Sequence, residues 1–299
     1  MLTKLSDLKK YLEKQEKKKK LVLAAAQDEH ALQAAVNAKE NGIIDLILVG
    51  NEKKIKIIAD AYKLNLENVE IVNEESQAKA AMESVKLVSE KKADILMKGH
   101  LATSTLLKAV LNKEFGLRKG KVLSHLALFE VESYHKLIGL TDAAMNIAPE
   151  LNDKVAIVEN SVGYMRKLGI EKPKVACLAA VEVVNANMQA TLDAALLSKM
   201  AQRGQIKNCI IDGPLAFDNA INKESAEHKG IISDVSGEAD ILLAPNIETG
   251  NVLYKSFIFF TKAKAAAVIL GAAAPIVLTS RSDSEQTKQD SITLAAVVD

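Results

Sequence analysis

Short, almost wholly apolar runs recur along the first hundred residues, each followed by a longer amphipathic stretch. This alternation constrains the fold more than any other feature of the chain. Leu21-Val22-Leu23-Ala24, Ile43 to Val49, Val69 to Val72 and Ala93 to Met97 read as strands. Asp28 to Asn41, the stretch from Asn51 to near Tyr62, and Ser76 to Lys91 read as helices, with Gly42 helping to stop the first and Asn51 capping the second. Strands apolar on both faces belong in a parallel sheet covered by helices on both sides. The leading segment, Leu5 to Lys18, is expected to be a helix with a solvated, lysine-rich face.

The middle of the chain changes character. Val122 to Val131 and Lys136 to Leu140 are strand-like and separated by only Glu132-Ser133-Tyr134-His135, a spacing that favours an antiparallel pair where a second domain begins. Alternation then resumes: helix Leu151 to Leu168, strand Val175 to Ala179, helix Met188 to Arg203, strand Cys209 to Asp212, strand Ile241 to Ala244 and helix Gly250 to Phe260. Two apolar runs split near Gly271 to Pro275, and a helix from Asp283 to Val298 ends the chain. The expected fold class is α/β, in two domains with mainly parallel sheets.

Several function classes lose their support. A net charge of +1 argues against nucleic acid or a membrane surface as partner, and the absence of Trp argues against base-stacking platforms. Cys177 and Cys209 lie singly in apolar runs, so neither a disulfide framework nor a metal site is indicated. Met1 to Lys20 lacks the apolar core of a secretory signal. Ala265 to Leu278 is broken by Gly271 and Pro275 and falls short of the roughly 18 residues of a membrane span. The expected compartment is the cytoplasm. No G-x-G-x-x-G, P-loop or G-x-S-x-G pattern occurs, which removes the usual marks of nicotinamide, nucleotide and hydrolase sites.

Four strand-to-helix connections could carry chemistry. In the last, the strand Ile276 to Thr279 leads into Ser280-Arg281, and Ser282 with Glu285 has capping-box spacing. Free backbone N–H groups and an Arg fork suit a phosphate or acyl phosphate, although Asp283 and Glu285 oppose it. The same pattern also reads as a capped surface helix with an incidental Arg. Asp212-Gly213-Pro214 puts a carboxylate at a strand end, with Pro214 able to open a helix, and is equally an ordinary turn. Asn246, Thr249, Gly250 and Asn251 offer neutral donors, acceptors and a close backbone approach, or simply cap a helix. Lys98, Thr103 and Ser104 could hold phosphate oxygens, with His100 as a proton carrier or a structural residue.

Taken in order, these segments resemble the phosphate acetyl/butyryltransferase family. The resemblance runs from about Ala93 to the C-terminus. It includes Thr141-Asp142-Ala143-Ala144-Met145-Asn146, Asp212 to Asp218, Ser233 to Asp240, Pro245 to Lys255 and Ser280-Arg281. The short length and the ending Thr-Ser-Arg-Ser-Asp-Ser are more similar to the butyryl branch than to the acetyl branch.

The resemblance implies an isocitrate/isopropylmalate dehydrogenase-like fold. Residues 1–122 plus 275–299 would form the first domain, and 123–274 the second. It implies a homodimer or higher homo-oligomer built through the second domain, and chemistry with no metal or bound cofactor, coenzyme A being a substrate. Its reaction moves a short acyl group, here butyryl, between coenzyme A and inorganic phosphate. Carried over, Ser280 donates to the oxyanion and Arg281 binds phosphate. In the acetyl branch an acidic residue follows the Ser-Arg pair by about two helical turns. The position here is Thr287, so Asp283, nearest the pair, is the candidate base, and Glu285 is expected to be taken up by the cap. The family's other phosphate-binding arginines lack a matched counterpart, Arg118 and Arg166 lying in weakly aligned stretches, and Lys98 is expected to fill part of that role. Acetyl transfer, a decarboxylating dehydrogenase on the same fold and a noncatalytic acyl-CoA binder are the alternatives.

Overall fold

A computed structural model of the chain describes residues 2–13, 17–279 and 283–298. They form two compact units. The first joins Ser6–Gly120 to Ala266–Asp299, and the second joins Met1–Leu5 to Lys121–Ala265.

The first unit opens with helix α1 (Leu8–Leu12), shorter than the helix expected over 5–18. Lys19 and Lys20 are instead drawn into strand β1 (Lys19–Ala24), where they pair with Ile44 and Asp45. The alternation then follows as α2 (Glu29–Glu40), β2 (Ile44–Gly50), α3 (Glu52–Tyr62), β3 (Glu70–Asn73), α4 (Gln77–Ser89), β4 (Ile95–Lys98) and α5 (Thr103–Val110). Each of three helix starts has a side-chain cap. Asp28 accepts from Ala31 N at 2.9 Å, Asn51 from Lys54 N at 3.0 Å and Ser76 from Lys79 N at 3.5 Å. Residues 21–26 are fully buried, as strands covered on both faces require.

In the second unit β5 (Ser124–Glu130) pairs antiparallel with β6 (Ile138–Thr141), as the short connection predicts. Then come α6 (Leu151–Lys167), β7 (Lys174–Leu178), α7 (Gln189–Gln202), β8 (Ile210–Leu215), the short helices α8 (Phe217–Ile221) and α9 (Lys223–His228), β9 (Ile241–Leu243) and α10 (Ile247–Phe260). The strand order is β5-β6-β9-β7-β8, parallel from β6 onward. Two expectations are corrected here. Strand β8 does not stop at Asp212 but runs through Gly213 and Pro214 to Leu215, so Pro214 opens no helix. A β-carbon on Gly213 would lie 2.8 Å from Cys177 Cβ, so glycine is what lets β8 continue against β7. Helix α10 starts at Ile247, which places Gly250 inside its first turn.

The chain returns to the first unit through β10 (Lys264–Leu270), β11 (Ile276–Val277) and α11 (Glu285–Ala296). The sheet order there is β3-β2-β1-β4-β11-β10, with β11 parallel to β4 and antiparallel to β10. Residues 266–299 group with the first unit.

Candidate active site

In the first unit the parallel strands deliver their carboxyl ends to one edge, where ligands of open α/β sheets usually bind. There the β4–α5 connection is bonded to the β1–α2 connection: Gly99 N and His100 N donate to Ala24 O and Ala25 O, each at 2.8 Å. A β-carbon on Gly99 would sit 2.4 Å from Ala25 O, so only glycine permits this approach. A pocket of about 410 Å³ opens beside it, with Gln27, Asp28, Lys98, His100, Thr279 and Lys288 on its walls. Lys98 Nζ donates to Gly99 O and Leu101 O, both at 3.3 Å, which holds the ammonium over its own loop. Thr103 and Ser104, proposed with it, are exposed on the first turn of α5 and do not line this pocket.

Ser280 and Arg281 lie outside the described residues, as does Ser282. Thr279, just before them, is buried and lines the pocket. Asp283, just after them, is half-buried, and its carbonyl accepts from Lys288 Nζ at 2.5 Å. Burial holds the Lys288 ammonium below the ordinary lysine range, against the raising pull of Asp283, Asp28 and Glu285. The expected cap is corrected. Ser284 caps α11, accepting from Thr287 N at 3.1 Å, and the hydroxyls of Ser284 and Thr287 are 3.0 Å apart. Glu285 accepts instead from Asn37 Nδ2, at 2.5 Å.

The second unit carries the other candidates. Asn246 Oδ1 accepts from Thr249 N at 3.0 Å, so its acceptor is spent on capping α10. Gly250 does allow a close backbone approach, but what approaches is the carbonyl of Asp142, 2.3 Å from where a β-carbon would be. Asn251, next in the helix, is half-buried. Asn246 also lines a pocket of about 580 Å³ at the carboxyl edge of this sheet, with Leu151, Leu196, Pro245, Lys154 and Asp193. Lys154 and Asp193 form a buried ion pair at 2.5 Å, and Gln189 Nε2 donates to the other Asp193 oxygen at 2.8 Å. Asp212 is half-buried and accepts from Gly213 N at 2.8 Å; it does not line that pocket. Neither thiol is poised to react. Both cysteines are free, and burial pushes Cys209 up to about 11 and Cys177 well above its usual range.

Three residues went unread as individuals. Lys288 gave no local signal, because a lysine in an exposed-looking helix reads as surface. Asp142 is buried and accepts from Ala144 N and Met145 N at 2.9 Å and from Asn146 N at 3.2 Å, organising the turn after β6. His125, buried beside it, has no hydrogen-bond partner at Nδ1 among the described residues. Burial lowers its pKa, and the Asp142 charge opposes that.

Two α/β units, each with a pocket at the carboxyl edge of its sheet, are the framework of an enzyme acting on small molecules. The chain belongs to the phosphate acetyl/butaryl transferase family, whose model it matches over residues 7–88 and 75–296. It is 53% identical over 285 residues to the phosphate butyryltransferase of Clostridium acetobutylicum, covering 95% of each chain. The crystal structure of a branched-chain phosphotransacylase from Enterococcus faecalis V583 matches with a TM-score of 0.83 at 34% identity, covering 93% of this chain and 98% of that one. A 4-hydroxythreonine-4-phosphate dehydrogenase from Klebsiella pneumoniae matches with a TM-score of 0.59 at 10% identity, covering 93% and 98%. That last likeness is of fold alone, and it agrees with the dehydrogenase-like architecture expected from the sequence. No helix among the described residues is long and apolar enough to cross a membrane.

Proposed function

We propose that this chain moves a short acyl group, butyryl by preference, between coenzyme A and inorganic phosphate. In one direction the coenzyme A sulfur bonds to the acyl phosphate carbonyl carbon, the C–O bond to phosphate breaks, and the thiol proton passes to a base. In the other, a phosphate oxygen attacks the thioester and the C–S bond breaks. A thiol of pKa about 8–9 is mostly protonated at neutral pH, so it needs that base. Coenzyme A is a substrate here, and no metal or bound cofactor takes part.

One observation carries the reading: the pocket holding Lys98 and Lys288 is lined by Thr279, on the amino side of Ser280-Arg281, and Lys288 bonds the carbonyl of Asp283 on the other side. Cations gathered at a sheet's carboxyl edge suit phosphate. In this reading Ser280 donates to the carbonyl oxygen, Arg281 and Lys98 hold the phosphate, and Asp283 takes the thiol proton. Thr103 and Ser104 would meet more distal substrate groups. Asp212, Asn246, Thr249 and Asn251 would act by shaping the second unit's polar surface, and Gly250 by seating the first turn of α10. The butyryl preference is supported by the 53% identity to a phosphate butyryltransferase.

The test is phosphate-dependent release of free thiol from acetyl-, propionyl-, butyryl- and isobutyryl-CoA, fastest with butyryl. No release from any of them overturns the proposal. Arg281→Ala is expected to lower kcat/KM by about 100-fold or more. We also read the two units as the two domains of a cytoplasmic homo-oligomer. The free thiols suit a reducing compartment, and the exposed Ile232, Phe259 and Phe260 of the second unit suit a covered face. A monomer in sedimentation equilibrium would overturn the oligomer.

A further inference from the structure

We propose that Lys288 binds the substrate phosphate directly, as a second cation beside Lys98 in the first-unit pocket. The inference rests on the acyl-transfer reading above and names a residue of that site. Lys288 lines the same pocket as Lys98, His100 and Thr279. It is only 3% exposed, an unusual position for a lysine.

A lysine ammonium has three protons to donate. Among the described residues, Lys288 donates to one acceptor, the neutral carbonyl of Asp283. Three carboxylates, those of Asp283, Asp28 and Glu285, lie near enough to pull its pKa up, and burial outweighs them. Asp28 accepts from Ala31 N as the cap of α2, and Glu285 accepts from Asn37 Nδ2. Glu29, half-buried on the pocket wall, opposes an anion. Burial weakens the ammonium's hold on its proton, and of its three N–H donors one has an acceptor among the described residues. A phosphate oxygen in the pocket would accept from the remaining donors. The phosphate would thus meet Lys98 from β4 and Lys288 from α11, two elements of one unit. Lys288 would link phosphate binding to the segment that carries Ser280 and Arg281, because the same amine holds the carbonyl of Asp283.

Lys288→Met is expected to raise the phosphate KM by about tenfold or more and leave the butyryl-CoA KM within about twofold, since a lost charged hydrogen bond is worth that much. It should also abolish the rise in Tm that inorganic phosphate produces in the wild type. A phosphate KM and a phosphate-induced Tm rise both equal to wild type would overturn the proposal. If Lys288→Met does not fold, the wild type decides. Trace acylation with acetic anhydride, read by peptide mass spectrometry, should be slowed by phosphate at Lys288 and not at the exposed Lys199; equal slowing at both, or none, counts against it. Absence of turnover in the wild type would instead sink the acyl-transfer reading, while the Tm and labelling arms would still report on phosphate at Lys288.

Discussion

Gly250 packs its α-carbon against the carbonyl oxygen of Asp142, so closely that a β-carbon would stand 2.3 Å from that oxygen and 3.0 Å from Ala143 Cα. The contact seats the first turn of α10 on the turn that follows β6. Asp142 stiffens that turn by accepting three successive backbone N–H groups.

Gly250→Ala therefore sets two effects against each other. Helix propensity favours alanine by about 1 kcal/mol. The clash is with backbone, which cannot swing aside, and overpacking of this kind costs about 1–3 kcal/mol. The clash wins. The variant should show a lower denaturant midpoint and reduced turnover, and an alanine variant at least as stable as wild type would mean that α10 can shift freely.

The Lys154–Asp193 pair has side chains only 6% and 5% exposed. Removing one partner leaves a buried charge alone. Lys154→Met is expected to destabilise by about 3–5 kcal/mol, and Lys154→Met with Asp193→Leu by much less. Urea unfolding of both variants makes the comparison. A double variant as unstable as the single one would show that the pair is also needed for the contact with Gln189.

His125 ties stability to pH. Its folded-state pKa lies below the ordinary 6.5, through burial. Between that lowered value and 6.5 the unfolded chain binds the proton and the folded chain does not. Stability is therefore full above 6.5 and falls as pH drops below it, by up to about 1.4 kcal/mol per pH unit from this one group. Asp142 is the charge that faces it and moderates the effect. His125→Phe, which can keep the edge-on contact with Tyr254, should flatten the midpoint-versus-pH curve between pH 5 and 6.5, a window set by the ordinary histidine pKa. An unchanged slope would assign the acid sensitivity to other groups.

The expectations that held were those resting on local chemistry. Asp28, Asn51 and Ser76 cap their helices because a side-chain oxygen needs only the next turn of its own chain. The antiparallel pairing of β5 with β6 was legible because so few residues join them. Misreadings came where a distant segment competes. Pro214 stays in a strand because β8 continues against β7, whereas the cap of α11 falls on Ser284 within its own local turn.

What the sequence determined by itself was the α/β class, the order of most strands and helices, and the family. Periodicity and ordered motifs are properties of a chain read in one dimension. The tertiary structure alone decided that Lys288 on the last helix shares a pocket with Lys98 on β4, that the close approach at Gly250 is taken by Asp142, and that Lys154 answers Asp193. Each of these joins residues far apart in sequence. Burial and counter-charge are set by what folds alongside a residue, and nothing adjacent in the chain records it.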